Sequence, residues 1–128
     1  GMREKNVYGS KTYDDLIALC QQEAEKLGVE IRCIQSNHEG ALIDALQQAY
    51  FDGFDGAVFN PGGYTHTSVA LHDAIKAINT PVVEVHISNV FQRETYRHTS
   101  LITGACVGVI GGFGLDSYRL AIEAILAL

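Results

Sequence analysis

The strongest constraint on what this chain can fold into is a repeated switch of hydrophobic period along it. Ala57-Val58-Phe59 and Val82-Val83-Glu84-Val85-His86-Ile87 are short β-branched or aromatic runs. Between them Leu71, Ala74, Ile75 and Ile78 recur at helical spacing. Residues 29–35 set Val29, Ile31 and Cys33 against Glu30 and Arg32, which is strand period, and residues 105–110 supply a further strand candidate. Three more stretches carry helical stripes. Residues 12–27 place Leu16, Leu19, Cys20 and Leu27 on one face, with Asp14 and Asp15 in the first turn and Gly28 as the stop. Leu42, Ala45, Leu46, Ala49 and Tyr50 form a second stripe, and Tyr118, Ala121, Ile122, Ile125 and Leu126 close the chain. Strands alternating with helices of this length predict right-handed crossovers and a parallel sheet covered on both faces, an α/β fold.

The 128 residues, 47% of them hydrophobic, are enough to enclose one core. With two prolines and no linker-like run, residues 1–128 read as a single domain. A net charge of −6 argues against a nucleic-acid surface, so an anionic ligand must meet a local cationic pocket. Arg93 and Arg97 offer one, although such a cluster is ordinarily solvated surface. Cys20, Cys33 and Cys106 lack the C-x-x-C spacing of metal or redox sites and are expected to be buried thiols in a reducing compartment. No apolar run reaches the roughly 18 to 20 residues that span a bilayer, and no charged-then-apolar leader opens the chain. A cytoplasmic protein is expected.

In parallel sheets ligands sit beyond the carboxyl ends of the strands. The segments expected there are Ser36-Asn37-His38-Glu39-Gly40, Asn60-Pro61-Gly62-Gly63-Tyr64-Thr65-His66-Thr67-Ser68, and Ser88-Asn89 with the stretch from Arg93 to His98. Gly62 and Gly63 allow the backbone N–H groups to approach a carboxylate or phosphate, while the same spacing fits a plain turn capped by Thr67 or Ser68. Glu84 and His86, two apart in one strand, project on one face and suit general acid–base work. The bland alternative is a satisfied core histidine, but a glutamate buried beside it needs a reason. Tyr8-Gly9-Ser10 looks like a simple turn; a phenol with a pKa of about 10 becomes a base at neutral pH only beside a cation such as Arg3. The histidines show no metal-ligand spacing, and Gly111-Gly112-Phe113-Gly114 matches neither the P-loop nor G-x-G-x-x-G.

Taken together, Tyr8-Gly9-Ser10, Gln35-Ser36-Asn37-His38-Glu39-Gly40, the run from Asn60 to Ser68 and the run from Pro81 to Asn89 resemble type II 3-dehydroquinate dehydratases over nearly the whole chain. Arg93, Glu94, Arg97-His98 and the Gly-rich segment before the last helix continue the likeness. The resemblance implies a flavodoxin-like three-layer sandwich and elimination of water from 3-dehydroquinate, in the shikimate pathway of aromatic amino-acid biosynthesis or in quinate breakdown. No metal or organic cofactor is implied. Tyr8 would be the base with Arg3 lowering its pKa, and His86, oriented by Glu84, would protonate the departing hydroxyl. Asn60 and the backbone of Ile87 and Ser88 would hold the substrate carboxylate, with Gly62 and Gly63 beside it, and His66 and Arg97 would meet the ring hydroxyls. Asp73 would reach a neighbouring subunit within trimers that build a dodecamer. The resemblance further implies a strand and an asparagine-bearing loop upstream of the residues that match Gly1 onward. Their absence from this sequence predicts four main strands with a gap beside residues 29–35. The rival expectation is a non-catalytic, anion-binding α/β module.

Overall fold

The structure is a computed structural model that describes residues 12–128, so Arg3 and Tyr8 lie outside the described residues. Its first element, α1 (Tyr13–Leu27), is set at both ends by local chemistry. Thr12 and Asp15 form a reciprocal capping box at 3.2 and 2.9 Å, and Gly28 takes the left-handed conformation, φ 69°, that closes the last turn. Next come α2 (Glu39–Phe51), β1 (Ala57–Phe59), α3 (Val69–Ala77), β2 (Val82–His86), β3 (Gly108–Gly111) and α4 (Asp116–Leu126). Ser68 caps α3 through a 2.9 Å bond from the Leu71 N–H and donates its own hydroxyl to Glu39 at 2.6 Å, tying α3 to the start of α2.

The sheet is parallel, in the order β1–β2–β3, with Phe59 opposite Glu84 and His86 opposite Gly111. The crossover from β1 to β2 is helical; that from β2 to β3 is made of short 3-10 turns at Val90–Gln92, Thr95–His98 and Thr103–Ala105. One face of the sheet carries Val82 and Phe59 against Leu46 of α2 and Leu71 and Ile75 of α3. The other carries Val83 and Val85 against Ala121 of α4, with Val58 and Ile125 at its margin. The sheet is thus the middle layer of three, as the α/β expectation requires. Among the described residues no helix is long and apolar enough to cross a membrane.

Two expectations need correction. Three strands form among the described residues, not four. Among the described residues, 29–35 form no strand and pair with no neighbour; the last regular bond on entry is from the Val29 N–H to the Ala24 carbonyl. Alternation assigns side chains to two faces, but a strand exists only where a partner accepts its N–H groups. The gap itself is present: residues 29–35 do not pair with β1, and a cleft of about 1450 Å³ separates them, walled by Leu16 and Cys20, Leu42 and Leu46, and Tyr118 and Ile122. The last strand also starts later than expected, at Gly108, because Thr103–Ala105 is drawn into a turn by bonds from the Ala105 and Cys106 N–H groups to Ile102 and Thr103.

Candidate active site

β2 is buried along its whole length although it contains a glutamate and a histidine. Glu84 is 1% exposed and His86 8%. Their side chains leave the sheet on the Val82 face, and the imidazole Nε2 is hydrogen-bonded to Glu84 Oε2. A carboxylate only accepts, so Nε2 carries the proton and donates, leaving Nδ1 as the nitrogen free to exchange a proton with a ligand. The second carboxylate oxygen, Oε1, accepts from the Thr103 hydroxyl at 2.6 Å. Both oxygens of the buried carboxylate are therefore satisfied, as its burial demands.

Around the ends of the strands the other expected groups gather from separate segments. Asn60, just past β1, accepts from the Gly62 N–H at 3.0 Å and donates its amide to the Tyr118 hydroxyl at 2.9 Å. That turn needs Gly62, whose φ is +58°. The Gly62 N–H is thus occupied by Asn60, while Gly63 is exposed and lines the cleft. Of the two capping options read from the sequence, the cap falls to Ser68. Ile87 follows β2 directly in a bend, and its carbonyl accepts from the Gly114 N–H at 3.0 Å. Ile87, Asn60 and Tyr118 share the cleft that runs down between β1 and residues 29–35.

Gly111 and Gly112 have a different role from the phosphate loop that a glycine-rich run invites. A Cβ at Gly111 would lie 3.3 Å from His86 Cβ and 3.5 Å from the Ser88 carbonyl oxygen, and one at Gly112 would lie 3.3 Å from Asn89 Cβ, where φ is +95°. The Gly112 and Gly114 N–H groups donate to the His86 and Ile87 carbonyls at 3.2 and 3.0 Å. These glycines let β3 close tightly over the segment that leaves β2, which fixes the backbone of His86, Ile87 and Ser88.

His66 and Arg97 sit on adjoining 3-10 turns, joined by a 2.8 Å bond from the Leu101 N–H to the Thr65 carbonyl. His66 Nδ1 donates to the Thr99 carbonyl at 2.7 Å, which leaves Nε2 for other partners. Arg97 is held by Glu94 at 2.7 Å and lies over the Tyr96 ring. Glu94 lies below the usual carboxylate range, first through its own backbone N–H and then through Arg97, and the same pairing raises Arg97. Asp73 is apart from this cluster: on the outer side of α3 its carboxylate is 71% exposed and meets the His72 ring at 3.1 Å.

Sequence reasoning missed Thr103 and Tyr118. Tyr118 was read only as part of an apolar stripe, yet a part-buried phenol needs a partner for its hydroxyl, and that requirement was the available signal. Thr103, 19 residues from Glu84, left no local signal at all. Among the described residues no group of His, Cys, Asp and Glu side chains is arranged to hold a metal ion.

A family model described as dehydroquinase class II matches residues 1–126. The chain belongs to the class II dehydroquinase family. It is 52% identical to the 3-dehydroquinate dehydratase of Caldicellulosiruptor bescii over 98% of this chain and 86% of that protein. With the 3-dehydroquinate dehydratase of Gloeobacter violaceus the identity is 56% over 98% of this chain and 78% of the relative. The crystal structure of a type II dehydroquinase from Butyrivibrio crossotus superposes with a TM-score of 0.95 at 46% identity, covering 98% of this chain and 87% of that one. The three-layer arrangement is accordingly the type II dehydroquinase fold.

Proposed function

We infer that the chain is a 3-dehydroquinate dehydratase, a hydro-lyase that converts 3-dehydroquinate to 3-dehydroshikimate. Identity of 52% with a 3-dehydroquinate dehydratase over 98% of the chain carries this reading. The buried Glu84–His86 pair gives it a chemical basis, because eliminating water requires a group that hands a proton to the departing hydroxyl. His86 gives that proton from Nδ1 while Glu84 accepts from Nε2 and steadies the imidazolium. Tyr8, with Arg3 lowering its pKa, takes the proton from the carbon beside the ketone, forming an enolate that expels the hydroxyl as water. Asn60 and the N–H groups of Ile87 and Ser88 hold the substrate carboxylate, with Gly62 and Gly63 beside it, and His66 and Arg97 meet the ring hydroxyls. The reaction uses no cofactor, since two side chains move both protons.

The enzyme works as one domain in the cytoplasm, in the shikimate pathway or quinate breakdown, and assembles as trimers within a dodecamer. The exposed carboxylate of Asp73 supports this assembly, standing clear of its own chain's cluster and available to a neighbour. The deciding experiment adds 3-dehydroquinate and follows the enone absorbance of the product. Turnover that Tyr8→Phe abolishes, with ligand affinity kept, is the expected result. Carboxylate binding without turnover, even in a chain extended upstream to the length of its relatives, would instead make this a non-catalytic anion-binding module.

A further inference from the structure

We propose that Thr103 is a positioning residue for the acid of the reaction, acting through Glu84. The inference rests on the reading of His86 as the proton donor. Glu84 is 1% exposed, and among the described residues its carboxylate has two hydrogen-bond partners: the imidazole Nε2 at Oε2 and the Thr103 hydroxyl at Oε1, at 2.6 Å. A carboxylate held at one oxygen can still turn about its last torsion, which is broad and soft. Held at both oxygens it has a defined plane, and so does the imidazole that donates to it. The neighbouring Cys106 thiol adds no competing charge: burial, and then the charge of Glu84, push it up to about 12.

Thr103 is itself fixed. The Ser100 hydroxyl accepts from the N–H groups of Ile102 and Thr103, each at 3.0 Å, so the turn carrying Thr103 has little freedom. Ile102 anchors that turn in the core at 0% exposure, and the Ala105 N–H closes it on the Ile102 carbonyl at 2.9 Å. A chain of contacts therefore runs from the Ser100 turn through Thr103 and Glu84 to His86. It crosses from the loop before β3 to the end of β2, and it fixes which imidazole nitrogen carries the exchangeable proton. Among the described residues the Thr103 hydroxyl is hydrogen-bonded to Glu84 and not to His86, so its effect on the imidazole passes through the carboxylate.

Thr103→Val keeps the shape and removes only the hydroxyl; Thr103→Ser keeps the hydroxyl. The first should lower kcat about tenfold with KM within about twofold, and the second should stay within about threefold of the parent. In a Glu84→Gln background Thr103→Val should add nothing further, since the two act on one contact. Nitrogen-15 NMR of the imidazoles, at a pH where His86 is neutral and has released its Nδ1 proton, reads the same device without turnover: His86 should be the Nε2–H tautomer in the parent and in Thr103→Ser, and a mixture of tautomers in Thr103→Val. An unchanged tautomer in Thr103→Val overturns the proposal, as does an equal loss in the Glu84→Gln background. Failure of the underlying reading looks different, because His86→Ala would then keep the parent kcat.

Discussion

The two sides of this molecule treat buried polar groups in opposite ways. At β2 every demand is met locally: the strand is paired on both edges, and its glutamate has a partner on each oxygen. On the other side, among the described residues β1 is paired only to β2, and residues 29–35 line the cleft with Ile34 56% exposed and no cross-strand bonds. Both stretches alternate apolar with polar residues in the sequence. Among the described residues only β2 has a strand on each side, so it is the side where the proton transfer proposed for His86 would be held in register.

Four changes and one titration would break or sharpen this contrast. The largest effect is expected from His86→Ala, which should lower kcat by about 10²- to 10⁴-fold while the far-ultraviolet circular dichroism stays unchanged. A variant with parent turnover would remove the chemical distinction between the two halves. Glu84→Ala should cost about 3 to 5 kcal/mol in urea unfolding, because it leaves a satisfied buried network half-made; a loss no larger than that of a surface substitution would show that β2 is not the rigid side.

Gly56→Ala tests the β1 side. Its Cβ would fall 2.4 Å from Ile125 Cγ2, an atom on a β-branched side chain that moves only with its χ1 angle. A destabilisation of about 1 to 3 kcal/mol is expected. A neutral result would mean that α4 yields beside the cleft.

Alkaline pH compares the two regions directly, since Cys20 lines the cleft and Cys106 stands beside Glu84. Burial, the larger cause in each, raises Cys20 from 9.0 to about 11 and Cys106 from 9.0 to about 12. The unfolded chain loses these protons first, so their contribution to stability is complete below pH 9 and declines as pH rises toward the folded values. Urea midpoints should fall over that window, and Cys106→Ala should flatten the fall more than Cys20→Ala. The smallest effect belongs to Arg32→Ala. It breaks a 2.7 Å ion pair with Asp52 and a contact 4.6 Å above the Phe54 ring, both at the surface. No measurable shift in urea midpoint is expected.

Much of the site was visible in the sequence because its chemistry is written in short range. Glu84 and His86 share a face by strand parity alone, and Gly28, Thr12 and Ser68 end or begin helices through contacts within about four residues. The layered α/β plan followed from the same local periods. What the sequence did not contain was the identity of partners far along the chain. Alternation in residues 29–35 could not say whether anything would lie beside them, and among the described residues the expected strand has no partner. Nor could a glycine-rich run after β3 announce that it would close over His86, or a threonine 19 residues beyond Glu84 that it would complete the carboxylate's shell. Periodicity is a property of neighbours in sequence, whereas satisfying a buried charge is a property of neighbours in space, and only the folded chain decides which groups those are.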